Sequence, residues 1–104
     1  MKQIICLSHL PWQPRPTRSQ QLFARMGDTQ VLFFEPAPPR GTPMPEQGRR
    51  VRAHITVYTL PARPDVSGPE LRRRRALARC ADFIQETARR HRFHAPVLWC
   101  TAPE

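Results

Sequence analysis

Ile4-Ile5-Cys6-Leu7 and Val31-Leu32-Phe33-Phe34 are unbroken apolar runs with one short helical pattern between them. A run without polar alternation marks a strand covered on both faces, as in the middle of a parallel sheet. The first run leads into a loop from Ser8 to Pro16 that holds three prolines. Thr17 is placed to cap a helix from Arg18 to Met26, which sets Leu22, Phe23 and Met26 on one side. Gly27 ends that helix, and Glu35-Pro36 ends the second strand. Strand, helix and strand with short connections predict a parallel crossover unit.

Working outward, residues 37–50 form a loop with four prolines that ends in Arg49-Arg50. Val51, Ala53, Ile55 and Val57 then alternate with Arg52, His54, Thr56 and Tyr58. Period-2 alternation predicts one strand with a wet face, at a sheet edge, with His54 on its surface. A loop from Pro61 to Pro69 precedes a long helix, from about Pro69 to Arg92, with Ser67 or Gly68 just ahead of it and Glu70 in its first turn. Leu77, Cys80, Ala81, Ile84 and Ala88 recur at helical spacing and predict its buried stripe. Val97-Leu98-Trp99-Cys100 is the last apolar run, followed by Thr101-Ala102-Pro103-Glu104.

The expected fold is α/β: a Rossmann-like β-α-β-β-α-β half-domain, with a mostly parallel four-stranded sheet of order 3-2-1-4. Its fourth strand has the composition of a central strand yet ends the sheet, so the domain reads as truncated. That bare edge predicts either further sequence covering it or self-association through the fourth strand.

The 104 residues allow one domain, 1–104, with one modest core. Eleven of the thirteen prolines gather at 11–16, 36–45 and 61–69, which marks those stretches as loops. Seventeen basic against eight acidic residues leave a net charge of +9, and Lys2 is the only lysine. The arginine bias has two readings, a GC-rich coding genome or an anionic partner. Cys6, Cys80 and Cys100 form no C-x-x-C pair; two fall in apolar strand-like runs and Cys80 on the apolar face of a helix, which predicts buried reduced thiols in a cytoplasmic protein, at most peripheral to the inner face of a membrane. The opening apolar run is too short for a secretory signal.

In an open α/β sheet the ligand crevice lies beyond the carboxyl ends of the strands, where strand order reverses. Here that point falls between the first and fourth strands. Ser8, His9, Trp12, Arg18 and Thr101 are delivered there as the acceptor- or anion-binding set, and His9 is the candidate catalytic base. Trp12 is read either as a sugar-stacking platform or as a loop anchor. No G-x-G-x-x-G follows the first strand and no G-x-x-x-x-G-K-[ST] occurs, which argues against a resident dinucleotide cofactor or a P-loop. Without those glycines Glu35 is a poor ribose acid. His91 and His94 lack a third ligand, so no metal site is expected. Arg72, Arg73, Arg74 and Arg75 cover one helical turn, either as a solvated helix start or as a patch for an anionic membrane surface. Nucleic acid is disfavoured because few aromatics stand among the arginines to stack bases.

Three segments resemble the N-terminal domain of bacterial glycosyltransferases of the two-Rossmann-domain (GT-B) architecture. They are Ile4 to Trp12 followed by Arg18-Ser19-Gln20-Gln21-Leu22, then Val31 to Pro36, then Phe93 to Pro103. Ser19 stands where the similar subgroup usually has proline, and Pro16 where it often has a second tryptophan. The resemblance implies transfer of a sugar from a nucleotide-sugar donor to an envelope polysaccharide or lipid-type acceptor. It also implies that the donor is held by a C-terminal domain absent from this chain, so that the chain alone is inactive. The alternatives are a stand-alone Rossmann-like module binding an anion or nucleotide, and a basic protein that adheres to membrane or nucleic acid.

Overall fold

The computed structural model describes residues 2–63 and 69–101. The chain runs β1 (Lys2–Leu7), α1 (Arg18–Ala24), β2 (Thr29–Glu35), β3 (Arg49–Arg52), β4 (Ile55–Thr59), α2 (Glu70–Arg90) and β5 (Val97–Cys100). The five strands form one sheet in the order β3-β4-β2-β1-β5. β1 pairs in parallel with β2 (Ile4 opposite Val31) and with β5 (Ile4 opposite Val97), and β2 pairs in parallel with β4 (Val31 opposite Ile55).

The expected four-stranded sheet is corrected to a mixed five-stranded one. What reads as one strand over 51–58 is an antiparallel hairpin, β3 against β4, turning at Ala53-His54. The alternation cannot reveal this, because two short strands and one long one share the same period, and the turn holds no glycine, asparagine or proline. A register irregularity between Arg50 and Arg52 helps the chain to reverse. The wet edge strand is therefore β3, whereas β4 is an inner strand with Ile55 and Val57 fully buried.

Alternating side chains feed two clusters. On one face Ile4, Cys6, Val31, Phe33, Ile55 and Val57 enclose Phe23 of α1. On the other, Ile5, Leu32, Phe34 and Tyr58 receive Phe83, Ile84 and Ala88 of α2, with Phe93 beyond it. The stripe predicted for α2 is corrected accordingly. Cys80 and Thr87 are buried, whereas Leu77 is 52% exposed, Ala81 is exposed, and Leu71 is 62% exposed. Thr87 tolerates burial because its hydroxyl donates to the Phe83 carbonyl at 2.7 Å. Pro69 precedes the helix as its N-cap residue rather than lying within it, and Ser67 and Gly68 fall outside the described residues. The far end closes as a Schellman turn: Arg92 takes a positive φ, and the Phe93 N–H reaches the Ala88 carbonyl at 2.9 Å. No helix among the described residues is long and apolar enough to cross a membrane.

β5 meets the sheet only through β1, and Val97 and Leu98 are 60% and 61% exposed. Its apolar run is thus open on both faces, which also overturns the expectation that all three thiols are buried: Cys6 and Cys80 are, Cys100 is not. Burial, with the Cys100 sulfur nearby, pushes the Cys6 thiol up to about 12.

Where α2 ends, His91 Nε2 lies 2.7 Å from Tyr58 Oη. Burial, reinforced by Arg90 and Arg50, holds the His91 imidazole below its usual range. The folded state then binds this proton less tightly than the unfolded chain does. The stability from neutral His91 is full above about pH 6.5 and declines as pH falls below that value. Urea denaturation across this window is expected to show the decline in the parent and a flatter profile in His91→Gln. Equal slopes in both would remove His91 as the cause.

Candidate functional site

Two backbone hydrogen bonds prolong the sheet past its strands. Ser8 N–H donates to the Phe34 carbonyl and Thr101 N–H to the Leu7 carbonyl, each at 3.0 Å. The chain leaving β1 is thereby set beside the chain leaving β5, at the point where strand order reverses. A cleft of about 450 Å³ opens there. Of the residues expected, Ser8, His9, Arg18 and Thr101 line it.

His9 and Thr101 meet directly. The His9 backbone N–H donates to Thr101 Oγ1 at 2.9 Å, and His9 Nδ1 lies 2.7 Å from the same oxygen. In the tautomer whose Nδ1–H donates to Thr101, Nε2 keeps a free lone pair and can accept a hydroxyl proton. The Ser8 hydroxyl is already engaged by its own loop, donating to the Leu10 carbonyl at 2.7 Å and accepting the Leu10 N–H at 3.1 Å. Ser8 therefore shapes the rim. Arg18 is exposed, with no side-chain hydrogen bond to any described residue.

Trp12 does not line this cleft. Its ring packs edge-on against Phe33 at 5.0 Å, and its backbone N–H donates to Glu35 Oε2 at 2.9 Å, so it anchors the loop and offers no platform to this cleft. The aromatic wall comes instead from Trp99, packed edge-on against Phe23 at 5.5 Å, with Phe33 beside it. Sequence reasoning treated Trp99 only as part of a strand. Its strand-mates carried a usable signal, since Trp99 lies opposite Cys6 and shares that residue's face, the α1 side. Thr17, at the helix start expected to reach this crevice, lines it as well, whereas Ser19 and Gln20 were missed as lining. Thr17 does cap α1, accepting the Gln20 N–H at 3.2 Å, but α1 is only seven residues long. Gln20 is 3% exposed and locked to the Gln13 backbone in both directions, at 2.8 and 3.0 Å.

Glu35 has a different task from the ribose contact weighed in sequence. Its carboxylate accepts from Thr59 Oγ1 at 2.6 Å, from the Arg49 guanidinium at 2.6 Å and from Trp12 N–H. It ties the first loop to β2, β3 and β4. His54 is likewise no surface residue, since its Nε2 donates to the Phe23 carbonyl at 2.8 Å. The Arg72 to Arg75 run lies on α2, across the sheet from this cleft, and Arg74 pairs with Glu70 at 2.8 Å. The His91 imidazole is held by Tyr58, and the His94 backbone N–H donates to Gln3 Oε1 at 2.7 Å.

The chain matches no family model, no curated protein and no solved structure. What the molecule does must be argued from this cleft.

Proposed function

We propose that the chain is the Rossmann-like, acceptor-side domain of a glycosyltransferase and that the cleft between β1 and β5 binds a hydroxyl-rich, sugar-type acceptor. The observation that carries this reading is the contact between His9 and Thr101, 92 residues apart, inside a cleft walled by Trp99 and Phe33. A few convergent polar groups beside flat apolar walls suit a ring with one apolar face and hydroxyls at its rim. His9 Nε2 receives the acceptor hydroxyl, Thr101 fixes the imidazole, and Arg18 favours an acceptor that carries negative charge. The donor nucleotide belongs to a second domain, so this chain binds acceptor without turning over.

Titration of neutral and anionic oligosaccharides, followed by NMR, tests this. Trp99 and His9 resonances are expected to shift saturably, and His9→Ala or Thr101→Val to weaken binding about tenfold, or about 1.4 kcal/mol. Binding indifferent to both substitutions would remove the acceptor site. Transfer or donor hydrolysis by this chain alone would refute the division of labour between domains.

One observation favours a binding module without chemistry. No carboxylate lines the cleft among the described residues, so His9 has no acidic partner to orient it or to share a proton. Acceptor binding that persists when His9 is replaced by Asn, with no rate effect in a reconstituted two-domain enzyme, would decide for that module.

A further inference from the structure

Behind Gln20 a second cleft, of about 330 Å³, opens on the other side of the first loop. Trp12 and Pro16 of that loop, Gln21 and Arg25 of the α1 region, and Arg52 of the β3–β4 hairpin line it. The two arginines lie 27 positions apart in sequence and reach one opening from different elements.

Their charges are uncompensated among the described residues. The ion pairs among the described residues are Arg49 with Glu35 and Arg74 with Glu70, and the arginine side chains that donate hydrogen bonds are those of Arg49, Arg63 and Arg74. Neither Arg25 nor Arg52 has a partner there. Two like charges facing one cleft repel unless an anion lies between them.

The frame nevertheless holds them together. His54, in the turn directly after Arg52, donates from Nε2 to the Phe23 carbonyl at 2.8 Å, and the Val31 N–H donates to the His54 carbonyl at 2.8 Å. Arg25 is the C-cap of α1, and its own N–H reaches the Leu22 and Phe23 carbonyls. One carbonyl, that of Phe23, thus fixes both the hairpin turn and the end of the helix. Trp12 meets Phe33 edge-on, at 87°, and its half-buried ring borders the opening.

We propose that this second cleft binds a phosphate monoester, with Arg25 and Arg52 gripping the phosphate and Trp12 packing against the ring attached to it. Guanidinium groups match phosphate oxygens in pairs, and an indole offers a flat surface to a base or a sugar. His54 acts as a positioning residue. The site shares only Gln20 with the acceptor cleft and stands whether or not that cleft binds a sugar.

The test is NMR on the intact chain, using the indole N–H signals of its two tryptophans. Inorganic phosphate, a nucleoside monophosphate and a sugar phosphate are titrated separately. Trp12, Arg25 and Arg52 signals are expected to shift saturably, while Trp99 and His9, which report the other cleft, stay in place. Arg25→Gln and Arg52→Gln should each weaken binding at least tenfold. His54→Phe should weaken it with both arginines present and the spectrum still that of a folded chain. A gain of about tenfold for one ring-bearing ligand over inorganic phosphate identifies the source of the phosphate, nucleotide or sugar. Equal affinity for all three removes Trp12 from the site. No saturable shift at millimolar ligand, or shifts that survive both arginine substitutions, overturns the proposal.

Discussion

Glu35→Ala is expected to cost on the order of 3 kcal/mol of folding stability, the lower part of the range for stripping one partner from a buried ion pair. The lower part applies because the Arg49 side chain is 33% exposed and can turn its charge to water, whereas the Glu35 side chain is only 5% exposed. Coulomb attraction is not the whole loss. The Thr59 hydroxyl and the Trp12 N–H also lose their acceptor, and each orphaned buried donor adds about 1 kcal/mol. In a domain whose total stability is about 5–15 kcal/mol, that is a large fraction. Glu35→Gln separates the contributions, since its amide oxygen can still accept from Thr59 while the charge on the Arg49 contact is gone. Urea denaturation should rank the parent above Glu35→Gln and Glu35→Ala last. A cost below about 1 kcal/mol for Glu35→Ala would mean that the network is dispensable. The same substitution frees the first loop from β2, so Trp12 signals should broaden in the Ala variant before Trp99 signals do.

The case of Glu35 shows where sequence reading stops. The apolar runs at 4–7, 31–34 and 97–100 were legible as strands because burial on two faces demands uninterrupted apolar residues, and they do pair in parallel. The position of the cleft followed from that pairing alone. The β3–β4 hairpin was hidden because alternation has the same period on either side of a tight turn. The face of α2 was shifted because an alanine-rich helix does not say which small residues go inward. Thr87 is fully buried through a hydroxyl bond to its own backbone, and composition does not report that. β5 marks a different limit. Val97 to Cys100 has the composition of a covered strand and the exposure of an open one, and that conflict shows only once its neighbours are known.

Side-chain roles were harder still, because they depend on which loop passes which strand. In sequence Trp12 is the candidate platform and Trp99 only a strand residue. The register puts Trp99 beside Cys6 on the α1 face, while the Trp12 loop folds over Phe33 to meet Glu35. His54 looked like a solvent-facing residue because it alternates with Ile55, yet a turn residue does not obey strand alternation. Its bond to Phe23 is one reason the β3–β4 hairpin lies against α1 at all.

The second large effect concerns the opposite face. Phe34→Ala is expected to cost about 3–5 kcal/mol, the range for truncating a fully buried phenylalanine. Phe34 has no exposed surface, stacks on Tyr58 at 5.8 Å and meets Phe83 of α2 edge-on at 6.1 Å. Phe83 also meets Tyr58 edge-on at 6.1 Å, so three rings from β2, β4 and α2 close on one another. Removing Phe34 leaves a cavity that the sheet residues cannot fill, because Leu32 and Ile5 are pinned by strand pairing. The consequence should be local to α2. The C-terminal half of that helix carries Phe83, Ile84 and Ala88 into the cluster, while the N-terminal half exposes Leu71 and Leu77 and adds little anchorage. Hydrogen exchange in Phe34→Ala should therefore accelerate first along α2, with the α1 amides and the His9–Thr101 contact protected until global unfolding. Phe34→Leu, which refills most of the volume, should restore most of the α2 protection. If α1 and α2 lost protection together, the two faces of the sheet would be one cooperative unit, and the aromatic triad could not be the separate anchor of α2.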